Sequence, residues 1–242
     1  MTATAKRSRS PRERTTIRLD NPYLDEFSAP PSEAEITDYR ARFGNPFVDT
    51  MSRFVDALNP LHFAGSFFST IRRDRLVSKY AWAIPTEEAV RRITKLSPIC
   101  DLGCGTGYWA YLLGQIGAKV VAVDSNPPLD GANDYHHARK STLHHWVPVV
   151  RGSASTFVVP RSHALMLCWP PYSTSMASVA LRRYRGSRLI YIGEGIGGCT
   201  GDDAFHRAIA KNWKLCEMID LPNWPGLHDS VHIYERRSRR AP

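Results

Sequence analysis

Residues 99–109, ICDLGCGTGYW, place Gly103, Gly105 and Gly107 two apart at the end of a short apolar run. Glycines at that spacing leave backbone amides uncovered, so a ligand can approach closely where the chain enters a helix. A dinucleotide fingerprint carries glycine at the sixth position of G-x-G-x-x-G. This chain has Tyr108 there, and Asp101 stands two residues before the first glycine. Twenty-one residues beyond Gly103, Asp124 closes the next apolar run. A carboxylate in that place can accept from both hydroxyls of an unphosphorylated ribose. The chemistry indicated is the binding of a nucleoside with no obligatory pyrophosphate.

Such a turn needs a strand before it and a helix after it. Thr86, followed by Glu87 and Glu88, predicts a helix with Val90, Ile93 and Leu96 on one face, leading into the turn. Beyond the turn, Trp109, Leu112, Leu113 and Ile116 mark the buried face of a second helix. The apolar runs ICDL, KVVAVD, WVPVV, ALMLC, RLIYIG, CEMIDL and SVHIYE predict seven strands, most followed by a helical or turn segment. That alternation implies an α/β fold: a mostly parallel, Rossmann-like sheet with helices on both faces and ligands at the carboxyl ends of the strands. NWPGLHD between the last two runs is too short for a crossover helix, so the last strand is expected to be antiparallel. Upstream, Ser32 and Glu35 form a capping box that opens a helix through Phe43. Short helices are expected in FVDTMSRFVDAL and FFSTIRRDRLVSKYAWAI. The chain thus divides into a flexible basic tail (1–31), a helical extension or lid (32–85), a nucleoside-binding domain (86–236) and a second basic tail (237–242).

The D-x-G-x-G-x-G turn at 101–107, the acid at Asp124 and the seven-strand order with a reversed last strand resemble the class I S-adenosylmethionine-dependent methyltransferases. The resemblance covers residues 86–236 and not the first 85. It implies a Rossmann-like methyltransferase domain with S-adenosylmethionine as cofactor. By that resemblance Asp101 would hold the methionine amino group, directly or through water, the three glycines would pass under the methionine portion, and Asp124 would hold the ribose. Ser153, between Gly152 and Ala154, occupies the place where many relatives have an acid beside the adenine. The fourth strand, ending at Cys168, would border the methionine end. Tyr80 and Trp82 could close over cofactor or acceptor, with core packing of their segment as the alternative.

The same strand end continues Trp169-Pro170-Pro171-Tyr172, which resembles the [DN]-P-P-[YF] motif of amino-methyltransferases. In that motif the Asx side chain and the following proline carbonyl hold an exocyclic amino group while the aromatic ring stacks on the target. Trp169 replaces the Asx, and an indole donates but does not accept. A flat aromatic site remains, or one in which Trp169 or Tyr172 faces a cationic amine or the sulfonium; simple packing of Trp169 and a loop-capping Tyr172 are the alternatives. Methyl transfer is an in-line displacement that requires alignment, exclusion of water and, for a hydroxyl or protonated amine, removal of one proton. Glu194, directly after RLIYIG, ranks first as base, with His228, Asp229 and His206 behind it. No metal is required, and His136, His137, His144 and His145 have no accompanying ligands at a recognisable spacing and read as a surface helix.

The formal net charge of +9 belongs to the tails. Ten of the 32 Lys/Arg and three of the 23 acids lie in 1–20 and 235–242, which leaves 22 basic against 20 acidic residues in the body. No run approaches a membrane span, the basic start is followed by no signal-like apolar run, and five scattered cysteines form no CxxC pair, so a cytoplasmic location is expected. The leading reading is a methyltransferase for a small molecule or short peptide. An N-methyltransferase acting on RNA or DNA comes second, favoured by the tails and Pro-Pro-Tyr. A non-catalytic cofactor-binding protein comes third, and the sequence sets no oligomeric state.

Overall fold

A computed structural model of the chain describes residues 18–44, 69–127 and 145–238. The helix expected in FVDTMSRFVDAL, the residues His136, His137 and His144, and the far ends of both tails lie outside them. Seven strands, β1 (Ile99–Leu102), β2 (Val120–Asp124), β3 (Val150–Arg151), β4 (Ala164–Cys168), β5 (Arg188–Gly193), β6 (Trp213–Asp220) and β7 (Ser230–Arg236), form one sheet. Their order is β3-β2-β1-β4-β5-β7-β6. The pairs from β3 to β5 are parallel, and β7 runs antiparallel to both β5 and β6. This is the Rossmann-like α/β sheet expected from the strand pattern. Its strand order reverses at β1, which has β2 on one side and β4 on the other, and such switch points are where ligands bind.

Strand alternation builds two cores. On β4 and β5, Ala164, Met166, Ile190 and Ile192 face one layer, while Leu165, Leu167, Leu189 and Tyr191 face the other. Helices α1 (Pro22–Ser28), α2 (Glu33–Phe43), α3 (Ser69–Lys79), α4 (Glu87–Thr94) and α5 (Tyr108–Gln115) precede or follow β1. Of these, α1, α3, α4 and α5 put Tyr23, Leu76, Val90 and Leu112 into the first layer. Helices α6 (Met176–Arg183) and α7 (Asp203–Asn212) put Leu181 and Phe205 into the second. The Thr86 hydroxyl accepts from the Ala89 N–H at 3.2 Å, and Glu87 and Glu88 complement the α4 dipole. The Ser32–Glu35 capping box opens α2 as expected. Among the described residues no helix is long and apolar enough to cross a membrane.

Three elements differ from expectation for identifiable reasons. Residues 18–31, read as part of a flexible tail, contain α1: Asn21 caps it, Pro22 occupies its first turn, and Tyr23 is fully buried. Burial of one aromatic ring outweighs the surrounding Arg/Ser/Pro composition. The third strand shrinks from WVPVV to two residues, because Pro148 has no N–H for a ladder and Trp146 turns away to donate its indole N–H to the Lys79 carbonyl at 2.9 Å. The sixth strand starts earlier than CEMIDL, at Trp213, with no loop after α7. Trp213 is buried against Tyr184 and under the Arg236 guanidinium, 4.3 Å from its ring, which holds the chain extended there.

Candidate functional site

The glycine turn leaves β1 with positive φ at Gly103 (80°) and Gly107 (78°), a region closed to most side chains. A Cβ at Gly103 would lie 2.7 Å from the Met176 methyl, and one at Gly107 2.7 Å from a Val147 methyl, so neither side of the turn has room for more. Asp124, 8% exposed at the end of β2, accepts from the Gly105 N–H at 2.9 Å and from the Asn126 N–H at 2.8 Å. One carboxylate thereby pins the turn and the loop after β2, while each oxygen retains a lone pair for a ligand hydroxyl. Asp101, 1% exposed, has an Oδ1 with no hydrogen-bond partner among the described residues. Burial first, and the neighbouring Asp124 second, push its carboxyl up to about 8. A buried acceptor with no donor among the described residues, its carboxyl raised mainly by burial and further by Asp124, could take a cationic ligand group such as an ammonium.

Both carboxylates open into a cavity of about 240 Å³. Tyr80, Gly103, Gly105, Cys168 and Trp169, each singled out from the sequence, also line it. The cover is built by residues 80–82 of the N-terminal extension. The Thr106 hydroxyl donates to the Tyr80 carbonyl, tying the strap to the glycine turn. Tyr80 itself is buried, with its hydroxyl donated to Glu26 at 2.6 Å and its ring stacked on Tyr23 at 5.0 Å and on Trp146 at 5.4 Å. Asn21 bridges the same region, donating to the Pro85 carbonyl and accepting from the Tyr108 hydroxyl, each at 2.8 Å. Tyr108, at the position where a dinucleotide site has glycine, is therefore a packing residue that anchors the extension.

The far wall is aromatic. Trp82 and Trp169 stack at 4.8 Å with their planes 20° apart, and the Arg73 guanidinium lies 5.4 Å from the Trp82 ring. Trp169 has φ 52°, the left-handed region, a conformation that costs a bulky residue about 1–3 kcal/mol. It is held by two hydrogen bonds at 2.8 Å, from its backbone N–H to the Ile192 carbonyl and from its indole N–H to Asp229 Oδ1. Asp229 is itself buried, and burial pushes it up to about 6 against the Trp169 donor that lowers it. Asn223 donates to the Asp229 carbonyl and accepts its N–H, fixing the loop.

Other singled-out residues stand apart from this cavity. Gly107 caps α5 from below the turn. Ser153 lines a neighbouring cavity of about 270 Å³ that shares Gly103, Ser125 and Met176 with the first, the side where the resemblance puts adenine. Its hydroxyl engages Ser155 and Thr156. Tyr172 points outward, 63% exposed. The carboxylate of Glu194, ranked first as base, accepts from the Cys199 N–H at 2.7 Å and the His228 N–H at 2.9 Å. Burial alone would raise its pKa, but these donors hold it below the ordinary carboxylate value. The His228 ring is exposed and lies 3.6 Å from Glu194, and the His206 ring meets the Thr200 carbonyl at 2.9 Å. Asn126, Trp109 and Met176 line the cavity without having been singled out. Trp109 carried only the periodicity of a buried helix face, and Met176 no motif at all.

No protein-family model and no curated protein matches the chain. Among solved structures it is similar to magnesium protoporphyrin IX methyltransferase from Synechocystis PCC 6803 with bound SAM, at 13% identity over 86% of this chain and 100% of that one, with a TM-score of 0.45. It is also similar to a TehB-like SAM-dependent methyltransferase from Corynebacterium glutamicum, at 19% identity over 61% of this chain and 86% of that one, TM-score 0.39. A third is the tRNA (uracil-54, C5)-methyltransferase of Pyrococcus abyssi, at 14% identity over 62% of this chain and 37% of that one, TM-score 0.41. Likenesses this distant say nothing about substrate, which has to be read from the cavity.

Proposed function

We propose that this chain is an S-adenosylmethionine-dependent methyltransferase that transfers a methyl group in line to a nitrogen or oxygen of a small molecule or short peptide. The observation that carries the reading is the contiguity of one cavity: the Asp101 and Asp124 carboxylates at its glycine-turn end, the Trp82–Trp169 stack at the other. When bound there, S-adenosylmethionine would supply a methyl group already activated on a sulfonium. Asp101 and Trp109 would face its methionine end and Asp124 its ribose, with Ser153 toward the base. The strap at 80–82 would exclude water, and the stacked indoles would present a flat wall that orients the acceptor. Because the Trp169 N–H is committed to Asp229, the ring acts through its surface and not by reading an amide.

The test is a mass-shift assay with S-adenosylmethionine and a panel of aromatic amines, phenols and short peptides, run beside duplex DNA and tRNA. Transfer to a small acceptor, unchanged on deletion of residues 1–17, supports the reading. Transfer confined to nucleic acid, lost with the tail and falling steeply with salt, would replace it with the nucleic-acid reading.

A further inference from the structure

The near-neutral body of the chain hides a segregation of charge. Residues 145–193 contain six Arg and no Asp or Glu, and four of the six, Arg182, Arg183, Arg185 and Arg188, fall where α6 ends and β5 begins. Strand alternation completes the separation. On β6 and β7, Glu217 pairs with Arg92 of α4 at 2.5 Å and Glu235 shares the face of Val231 and Ile233, while Arg236 faces the α6–α7 layer over Trp213. In that layer a groove of about 590 Å³ runs between α6 and α7 to the start of β6. Arg182, Lys211, Arg236 and Arg237 line it, and no carboxylate does. Among the described residues none of these four cations is in an ion pair. Arg236 is fixed, donating to the Gly186 and Tyr184 carbonyls at 2.8 Å each. The Arg237 Nε donates to the Trp213 carbonyl at 3.0 Å, and Arg182 and Lys211 are exposed. Complementing the α6 and α7 dipoles accounts for Arg182 and Lys211, but not for the two further Arg that β7 brings to the same groove.

We propose that this groove binds the phosphodiester backbone of a nucleic acid, at a site separate from the methyl-donor cavity. Four cations without counter-charge make a field that a repeating anion neutralises, and Arg239 and Arg240 continue the charge in the sequence. The large apolar lining residues, Leu181 and Trp213, are 3% and 2% exposed, so the groove offers no open pocket for the apolar anchor on which a protein partner would depend. A cleft between two helices admits a strand and not a flat lipid surface. Ser178, Asn212 and Ser238 add neutral donors for phosphate oxygens, and no exposed aromatic ring lines the groove to read a base. The four cations stand where β5 starts and β7 finishes, whereas Asp101, Asp124 and Cys168 lie toward the carboxyl ends of β1, β2 and β4. A backbone held in the groove is therefore a tether and not the methyl acceptor. The inference goes beyond the proposed methyl transfer and does not depend on it.

The experiment measures the fluorescence anisotropy of labelled single-stranded and duplex oligonucleotides with the full-length protein, without methyl donor, over a range of salt concentrations. Binding is expected to be indifferent to base sequence and to weaken linearly in log K against log salt. Combining Arg182→Gln, Lys211→Gln and Arg237→Gln, all at exposed positions, should weaken it about tenfold or more at ~0.1 M salt. The same variant should lower the salt slope by about 2 to 3, since each phosphate contact contributes ~0.7–0.9. Deletion of residues 1–17 is the control for the basic tail, and the loss caused by the groove substitutions should persist in the shortened chain. No binding by the wild type, or a loss confined to the tail deletion with the groove variant unchanged, overturns the site. So does tighter, groove-dependent binding of polyglutamate, which would make the partner an acidic protein, or of phosphatidylserine vesicles, which would make it a membrane. S-Adenosylhomocysteine affinity should be the same in the groove variant as in the wild type; a parallel loss would overturn the separation of the two sites.

Discussion

Replacing Asp101 with Asn should stabilise the ligand-free protein in a pH-dependent way. The carboxyl is 1% exposed, its Oδ1 has no partner among the described residues, and burial reinforced by Asp124 moves it from 3.8 to about 8. The folded value lies above the unfolded one, so the native state keeps a proton that the unfolded chain releases between those two pH values. Stability is therefore lost progressively as pH rises through that window, and the full cost is reached above it. The window spans roughly four pH units, which at about 1.4 kcal/mol each is on the order of 5 kcal/mol, an upper limit because the cavity is open to water. Asn matches the shape of the neutral acid and has no proton to lose. Urea unfolding at about pH 3.5, 6 and 8.5 should show wild type and Asp101→Asn nearly equal at the lowest pH and the variant more stable by several kcal/mol at the highest. The variant should also lose S-adenosylhomocysteine affinity, because its amide no longer offers an anion to the ammonium. Parallel pH profiles for the two proteins would refute the reasoning, since Asp101 would then titrate alike in the folded and unfolded chain.

Three further outcomes follow from the cover and the aromatic wall. Tyr23→Ala should cost about 3–5 kcal/mol in chemical denaturation, because a fully buried ring between Tyr80 and Tyr108 is removed, whereas deletion of residues 1–17 should leave stability unchanged. Arg72, 2% exposed, donates to both Glu35 oxygens at 2.9 and 2.8 Å and to the Ala29 carbonyl at 2.7 Å. Arg72→Met should expose 18–44 to limited proteolysis. In wild type, Glu35 is pulled down to about 2 despite burial, mainly by Arg72, so its stabilisation is complete above its ordinary 4.5 and lost as pH falls toward 2. Trp169→Phe keeps a ring against Trp82 but loses the Asp229 contact, and turnover should fall by no more than about tenfold; Trp169→Ala should lower it far more. Equal turnover in both variants, with cofactor affinity unchanged, would make Trp169 a packing residue and move the acceptor elsewhere.

The glycine turn and the carboxylates beside it were legible in the sequence because they are local. Gly103, Gly105 and Gly107 announce a backbone that needs positive φ, and Asp101 in β1 and Asp124 at the end of β2 lie on adjacent strands set by their apolar runs. The helix caps at Ser32 and Thr86 were legible for the same reason. Long-range packing was not. Asn21 and Pro22 are a helix-start signal, yet only the burial of Tyr23 against rings from 80 to 224 in sequence shows that the signal wins over its polar surroundings. Glu194 sits at a strand's carboxyl end, the place expected of a catalytic base. What occupies it are backbone N–H groups five and thirty-four residues away, which no spacing rule reveals. The sequence shows that the Trp169 indole can donate but not accept, yet its partner in stacking comes from the extension, outside the region covered by the resemblance.

Binding of S-adenosylmethionine in the Asp101–Asp124 cavity is tested most directly by calorimetric titration of the wild type and Asp124→Ala with S-adenosylhomocysteine, run beside NAD. The expected result is one site per chain for S-adenosylhomocysteine, none for NAD, and a loss of about 1.5–3 kcal/mol in the variant, from ribose hydrogen bonds to a charged group. No binding of S-adenosylhomocysteine, a preference for NAD, or an unchanged affinity in Asp124→Ala would contradict it.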